Sequence, residues 1–257
     1  MKKLLLSISV GLLCTSFTMI PVLQTTESNI PAASVIHPTI TASPSASLWR
    51  PMDSSFTSAD AASVLYNNIN LQEFGLSKEA FDYAWKGYQN LLERKMISRV
   101  DYLTICDFSQ SSRKKRLYII DVSNNKLVIN TYVAHGKNSG GEYATQFSNK
   151  MESLQSSLGF YITSNTYIGE HGLSLRINGV DPGYNDKALE RSIVIHGAAY
   201  VDAARANAGI FMGRSWGCPA VPQKESTNII TTIKNGTCLF IYHPSRNYLL
   251  GSKILNG

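Results

Sequence analysis

From residue 100 onward apolar and polar positions alternate with a period of two, whereas the stretch before it repeats with a helical period. Residues 102–108, 116–122 and 126–134 read as strands, and the turn Ser123-Asn124-Asn125 makes 116–134 a hairpin. Upstream, Ser58-Ala59-Asp60 opens a helix with Val64, Leu65 and Ile69 on its apolar side. A break at Phe74-Gly75-Leu76 follows, and Ser77 caps a second helix running to about Glu93. Phe81, Ala84, Trp85, Tyr88, Leu91 and Leu92 form a helical stripe suited to packing on a sheet. Further strands are expected at 156–163, across 167–179, at Ile193 to His196, and at 237–242, with a turn at Asp181-Pro182-Gly183. Between the last two, Val221-Pro222 opens a helix to about Lys234, closed by Asn235-Gly236. The pattern predicts an α+β domain: a mostly β, sandwich or barrel-like sheet with an N-terminal helical segment.

The two ends of the chain differ in kind. Residues 1–25 read as a signal peptide, with Lys2-Lys3 ahead of an apolar stretch; the alternative is an uncleaved anchor. Residues 26–56, rich in Ser, Thr, Pro and Ala, read as a linker. The helical segment then occupies 57–100 and the main domain 101–250. An exported protein is expected, in the periplasm or cell envelope, meeting a membrane only through the signal segment if that is retained. The formal charge is +6, and loss of Lys2 and Lys3 leaves +4. That mild excess favours an anionic polymer, but no dense basic stripe points to nucleic acid. The longest basic run, Arg113-Lys114-Lys115-Arg116, reads as a solvated approach to a strand.

Of four cysteines, Cys14 lies in the signal segment. Three remain, an odd number for an exported chain, so at least one thiol is free or pairs outside the chain. Cys106 and Cys238 sit in strand-like runs, where a buried, inert thiol is expected. Cys218 differs: it lies in Gly213-Arg214-Ser215-Trp216-Gly217-Cys218-Pro219-Ala220, a polar turn between glycine and proline. No C-x-x-C is present, so zinc and dithiol chemistry lack their usual support, and the glycine-rich loop after His135 lacks P-loop spacing.

Twenty-two positions before Cys218 an apolar strand ends in His196-Gly197. A thiol becomes a strong nucleophile when an imidazole takes its proton. His196 is the candidate base, with the Gly197 carbonyl fixing its tautomer. The amides of Trp216, Gly217 and Cys218 are candidate oxyanion donors, and Ser215 orients substrate or the turn itself. His135 and His171 each precede a glycine; they line the cleft or serve as structural turn residues. His243 reads as structural and His37 falls in the linker.

Ile195-His196-Gly197 followed by Ser215-x-Gly217-Cys218 resembles the catalytic domain of L,D-transpeptidases, whose pattern is His-Gly and then Ser-His-Gly-Cys. Blocks at 133–140, 147–149, 157–159, 172–175 and 213–220 occur in the family's order, strongly over about 100–245 and weakly over 60–100. The resemblance implies a peptidoglycan-modifying enzyme acting on tetrapeptide stem peptides through a thioester on Cys218, without metal or organic cofactor. It makes His196 the general acid/base and Gly197 its orienter. An L,D-carboxypeptidase-type hydrolase and a non-catalytic cell-wall binding module are the alternatives. Trp216 departs from the family's usual histidine and Ala220 from its usual Arg or Asn, and Arg214 is a candidate to supply the missing positive charge to a stem carboxylate.

Overall fold

The computed structural model describes residues 58–257; the expected signal segment, linker and His37 lie outside the described residues. An eight-stranded mixed sheet forms the body. Its strands are β1 (Tyr102–Asp107), β2 (Leu117–Asp121), β3 (Lys126–Thr131), β4 (Gly159–Gly169), β5 (Gly172–Gly179), β6 (Val194–Ala198), β7 (Ala220–Pro222) and β8 (Cys238–Tyr242). They lie in the order β3-β2-β1-β8-β4-β5-β6-β7. Only β1 with β8 and β6 with β7 run parallel. Beyond β3, Ala134 bridges to Ala220 of β7, so the two edges of the sheet meet and the sheet closes on itself. Closure places the chain that follows β3 directly beside the chain that enters β7.

The helices are α1 (Ser58–Ile69), α2 (Lys78–Glu93), α3 (Ala203–Asn207), α4 (Ser226–Ile233), α5 (Arg246–Gly251) and α6 (Lys253–Asn256). Ser77 caps α2 by accepting from the Ala80 amide at 3.1 Å. The α2 stripe of Phe81, Ala84, Trp85, Tyr88 and Leu91 is buried, while Leu92 at its margin is 36% exposed. On α1, Leu65 and Ile69 are buried but Val64 faces outward. The core joins this helical face to Leu103, Ile105, Phe160, Phe240 and Tyr242 of the sheet, with Phe160 and Phe240 stacked at 4.1 Å. Asp181, in the turn after β5, ties the C-terminal helices to the sheet by accepting from the Phe160 amide, the Tyr248 hydroxyl and the Ser252 hydroxyl.

Three expectations need correction. Residues 220–222 form β7, and the helix behind them starts at Ser226 rather than at Val221. The 167–179 stretch is not a separate strand: β4 continues through Gly169 and turns at Glu170-His171 into β5. Finally, Arg116 leaves the basic run and is fully buried, while Arg113, Lys114 and Lys115 stay exposed. Its guanidinium donates to the Val133 carbonyl at 3.1 and 3.0 Å and to the Gln110 carbonyl at 2.7 Å, and reaches His135 Nδ1 at 2.7 Å. It lies 4.7 Å from the Phe108 ring centre. An arginine with every contact satisfied by carbonyls, a ring face and an imidazole can be buried where a lysine, with one point charge, could not.

Candidate active site

His196 lies on β6 opposite Ala220 of β7, and the chain leading into β7 therefore brings Cys218 alongside the start of β6. The thiol shows this placement directly. It accepts from the Val194 amide at 3.4 Å and donates to the Ser192 carbonyl at 3.7 Å. Ser192 itself has φ +55°, a left-handed conformation that a serine adopts only under local constraint. Cys218 is partly exposed, whereas Cys106 and Cys238 are buried and free. Burial pushes the Cys106 thiol up to about 12 and that of Cys238 higher still, so both are inert. Burial also raises the Cys218 thiol, but here the Val194 amide, the Arg191 charge and the residue's own amide act against it.

His196 is almost fully buried and its Nδ1 lies 3.0 Å from the Gly197 carbonyl. A carbonyl only accepts, so Nδ1 carries the proton and Nε2 is left as the basic nitrogen. Burial lowers the imidazole pKa, partly offset by that carbonyl. His196 is thus neutral at pH 7 with one defined tautomer, the state a general base requires. The His171 ring, on the exposed β4–β5 turn, stacks on it at 4.3 Å and covers its outer face. The Cys218 thiol is turned to the Ser192 carbonyl.

The turn before the thiol is held from within. Ser215 Oγ donates to the Cys218 carbonyl at 2.6 Å and accepts from the Gly217 amide at 3.3 Å. Ser215 therefore acts within the turn, and its hydroxyl engages the Gly217 amide, one of the expected oxyanion donors. The Cys218 amide lies against its own sulfur and favours the thiolate. Gly217 has φ +119°, and a Cβ there would lie 2.7 Å from the Gln155 carbonyl, so only glycine fits. Trp216 is 74% exposed, with Lys137 Nζ 5.9 Å from its ring centre. Arg214 is exposed, its guanidinium 6.0 Å from the Tyr200 ring centre.

His135 does not line the cleft. It is fully buried, takes a hydrogen bond from Arg116 at Nδ1, and sits 3.3 Å from the Gly140 carbonyl at Nε2. Its carbonyl accepts from the Ser215 amide at 3.2 Å, and a Cβ on Gly213 would lie 2.3 Å from its Nε2. Phe108, which carries the Arg116 guanidinium on its face and meets the His135 ring edge-on, completes a buried support under the Gly213–Ser215 backbone. Burial and the Arg116 charge push the His135 pKa down to about 4, from 6.5. Unfolding releases an imidazole that binds a proton below pH 6.5, so the stability held above that pH is lost as pH falls toward 4. The His135 contribution is on the order of 3 kcal/mol. Burial lowers His196 and His243 in the same direction and adds to it. Urea unfolding of His135→Asn from pH 7.5 to 4 should show a visibly shallower loss than the parent; parallel curves would remove His135 as the main source.

Arg191 belongs to no recognisable motif, and nothing in the sequence pattern marks it. Its guanidinium donates to the carbonyls of Ser148 at 2.8 Å and Gln155 at 2.6 Å, to Ser153 Oγ at 3.2 Å, and to Ser157 Oγ. A Cβ on Gly217 would lie 3.2 Å from its Nη2, which puts the cation beside the Cys218 turn. All four acceptors are neutral, so the charge is not cancelled and favours the thiolate. Arg191→Met should move the pH midpoint of Cys218 alkylation by iodoacetamide upward and slow the reaction at pH 7 by roughly three- to tenfold. An unshifted midpoint would mean Arg191 only holds the 148–157 loop.

Among the described residues no cluster of metal-ligating side chains occurs. The arrangement is a partly exposed thiol, a neutral buried base with a fixed tautomer, and a nearby unneutralised cation. It suits acyl transfer through a thioester. A search of curated proteins finds no match to the sequence. Solved structures with a similar course include an L,D-transpeptidase from Mycobacterium smegmatis, at 9% identity and a TM-score of 0.35 over 56% of this chain and 59% of that one. An L,D-transpeptidase in complex with imipenem matches at 10% identity and a TM-score of 0.35, over 55% of this chain and 59% of that one. A third, from Xylanimonas cellulosilytica, matches at 13% identity and a TM-score of 0.32, over 70% and 93% of the two chains. The chain thus spans about three-fifths of the length of the first two. The family model for the L,D-transpeptidase catalytic domain matches residues 72–242, which include both His196 and Cys218, and the chain belongs to that family.

Proposed function

We propose that this protein is an exported, cysteine-dependent acyltransferase that acts on the tetrapeptide stems of peptidoglycan. The observation that carries the reading is the His196 imidazole, neutral and with its proton fixed on Nδ1 by the Gly197 carbonyl, on the strand whose first residues hold the Cys218 thiol. The Cys218 S–H proton passes to His196 Nε2 and the thiolate attacks the carbonyl between the third residue of the stem and its terminal D-alanine. The C–N bond breaks, D-alanine leaves with the proton returned by His196, and a thioester remains on Cys218. An amine of a second stem then attacks the thioester, gives its proton to His196, and expels the thiolate as the new amide forms. Water in place of the amine gives a shortened stem instead of a cross-link.

Support comes from family membership and from the electrostatics of the site: Arg191 favours the thiolate, and the Cys218 amide faces the reacting sulfur. The test is incubation of the purified protein with muropeptides and mass spectrometry of the products. Cross-linked dimers that Cys218→Ala fails to make are the expected result. Trimmed tripeptides alone would identify a hydrolase, and products identical for variant and parent would remove the enzymatic reading.

A further inference from the structure

Beside the thiol turn, a cavity of about 380 Å³ is lined by Lys137, Gly140, Arg205, Ile210, Phe211, Gly213 and Arg214. Three of its seven lining residues are cations and none is an acid. Among the described residues the ion pairs are Lys78–Asp82, Arg99–Asp101 and Arg113–Glu142, so none of these three cations is neutralised by one. Two of them rest on aromatic faces instead, Lys137 by Trp216 and Arg214 by Tyr200, which orients a charge without cancelling it. The third, Arg205 of α3, has a buried Nε with no hydrogen-bond partner. Its neighbour Asp202 is occupied at the helix end, accepting from the Arg205 amide at 2.7 Å. A buried N–H of a guanidinium left without an acceptor is costly, and an acceptor supplied by a ligand removes that cost. Ile210 and Phe211, 41% and 43% exposed, add an apolar wall.

From these residues we infer that the cavity is a carboxylate subsite that holds a free carboxylate of the stem peptide while Cys218 reacts, with Arg205 and Arg214 as its main ligands and Lys137 at its rim. It rests on the proposed function for the identity of the peptide. The backbone itself ties the two sites together, because Gly213 and Arg214 line the cavity and Cys218 follows four residues later in the same turn. Guanidinium groups suit a planar carboxylate by paired N–H···O bonds, and the aliphatic part of an amino-acid residue fits the Ile210–Phe211 wall. The cavity is large enough for a residue-sized group.

Binding can be measured apart from turnover by titration calorimetry on Cys218→Ala. The probes are a synthetic tetrapeptide, L-Ala-D-γ-Glu-diaminopimelyl-D-Ala, and three analogues in which one carboxylate at a time is amidated. One analogue should bind about 10- to 100-fold more weakly than the parent peptide, the range expected for loss of a charge-assisted contact. Arg205→Gln combined with Arg214→Gln should bind the parent as weakly as that analogue and leave the analogue's own affinity within about twofold. Equal affinity for all four peptides, discrimination that survives the double substitution, or absence of binding would overturn the subsite. Turnover by the Cys218 protein is scored separately. Discriminating binding without turnover would reject the proposed reaction and keep the subsite, while turnover without discrimination would do the reverse.

Discussion

Cys218→Ala should give a folded protein that forms no adduct and makes no cross-linked or trimmed muropeptide. The thiol is partly exposed, and its removal costs the contacts to the Ser192 carbonyl and the Val194 amide, of which only the second leaves a donor without a partner. That costs about 1 kcal/mol, too little to unfold the domain. Intact-mass analysis after exposure to iodoacetamide reads the reactive thiol directly. One adduct is expected on the parent and none on the variant, because Cys106 and Cys238 are fully buried with thiols held far from ionisation. His196→Ala keeps the nucleophile but removes the proton acceptor, so acylation should slow by roughly 10²- to 10⁴-fold. An adduct of equal yield on Cys218→Ala would mean that the reactive group lies elsewhere. A His196→Ala rate within a fewfold of the parent would mean that another base serves the thiol.

How much of the fold is legible in the sequence depends on the range of the interactions involved. The β2–β3 hairpin and the capped α2 are encoded locally, by alternation, by Asn124-Asn125, and by Ser77 ahead of Lys78-Glu79, so the chain itself announces them. β7 is different. It is three residues long and contains a proline, and it exists because His196 and Ala134 flank Ala220 from both sides in the closed sheet. Nothing within Ala220-Val221-Pro222 reveals those partners. The helices α3, α5 and α6 have five, six and four residues, too short for a period to emerge.

The site divides in the same way. Cys218 and His196 stand out because glycine and proline around a thiol, and a histidine ending an apolar strand, are unusual in themselves. Ser215, Gly217 and His135 are legible as members of the site's neighbourhood but not in what they do there. Each supports the turn that carries the thiol, through contacts with residues 19 to 78 positions away or with the turn itself. Arg191 leaves no trace, because Leu189-Glu190-Arg191-Ser192 looks like any polar turn before a strand. Its position beside Gly217 depends on the 148–157 loop, which folds against it from far upstream.

Arg116→Met should destabilise the domain by about 3 kcal/mol or more and slow Cys218 alkylation even under conditions where the protein stays folded. Methionine matches the length of the arginine stem but offers no donor. The Val133 and Gln110 carbonyls and His135 Nδ1, all served by the guanidinium, would then be left without it in a buried setting. Breaking a buried, fully engaged charge network is among the larger single-site losses. The activity effect follows from the support it removes. His135, no longer held at Nδ1, is free to rotate, and the Gly213–Ser215 backbone packed on its ring loses its fixed height relative to β6. Arg116 is also one cause of the depressed His135 pKa, so its loss should let that imidazole protonate at higher pH and flatten the acid-side fall in stability. Urea unfolding at pH 7 and pH 5, with alkylation rates on the same samples, separates the two effects. Arg116→Lys keeps a charge but not the fork geometry, and should fall between the parent and Arg116→Met in stability. A loss below about 0.5 kcal/mol for Arg116→Met, the scatter expected of an ordinary surface substitution, would show that the pillar under the nucleophile does not depend on its arginine.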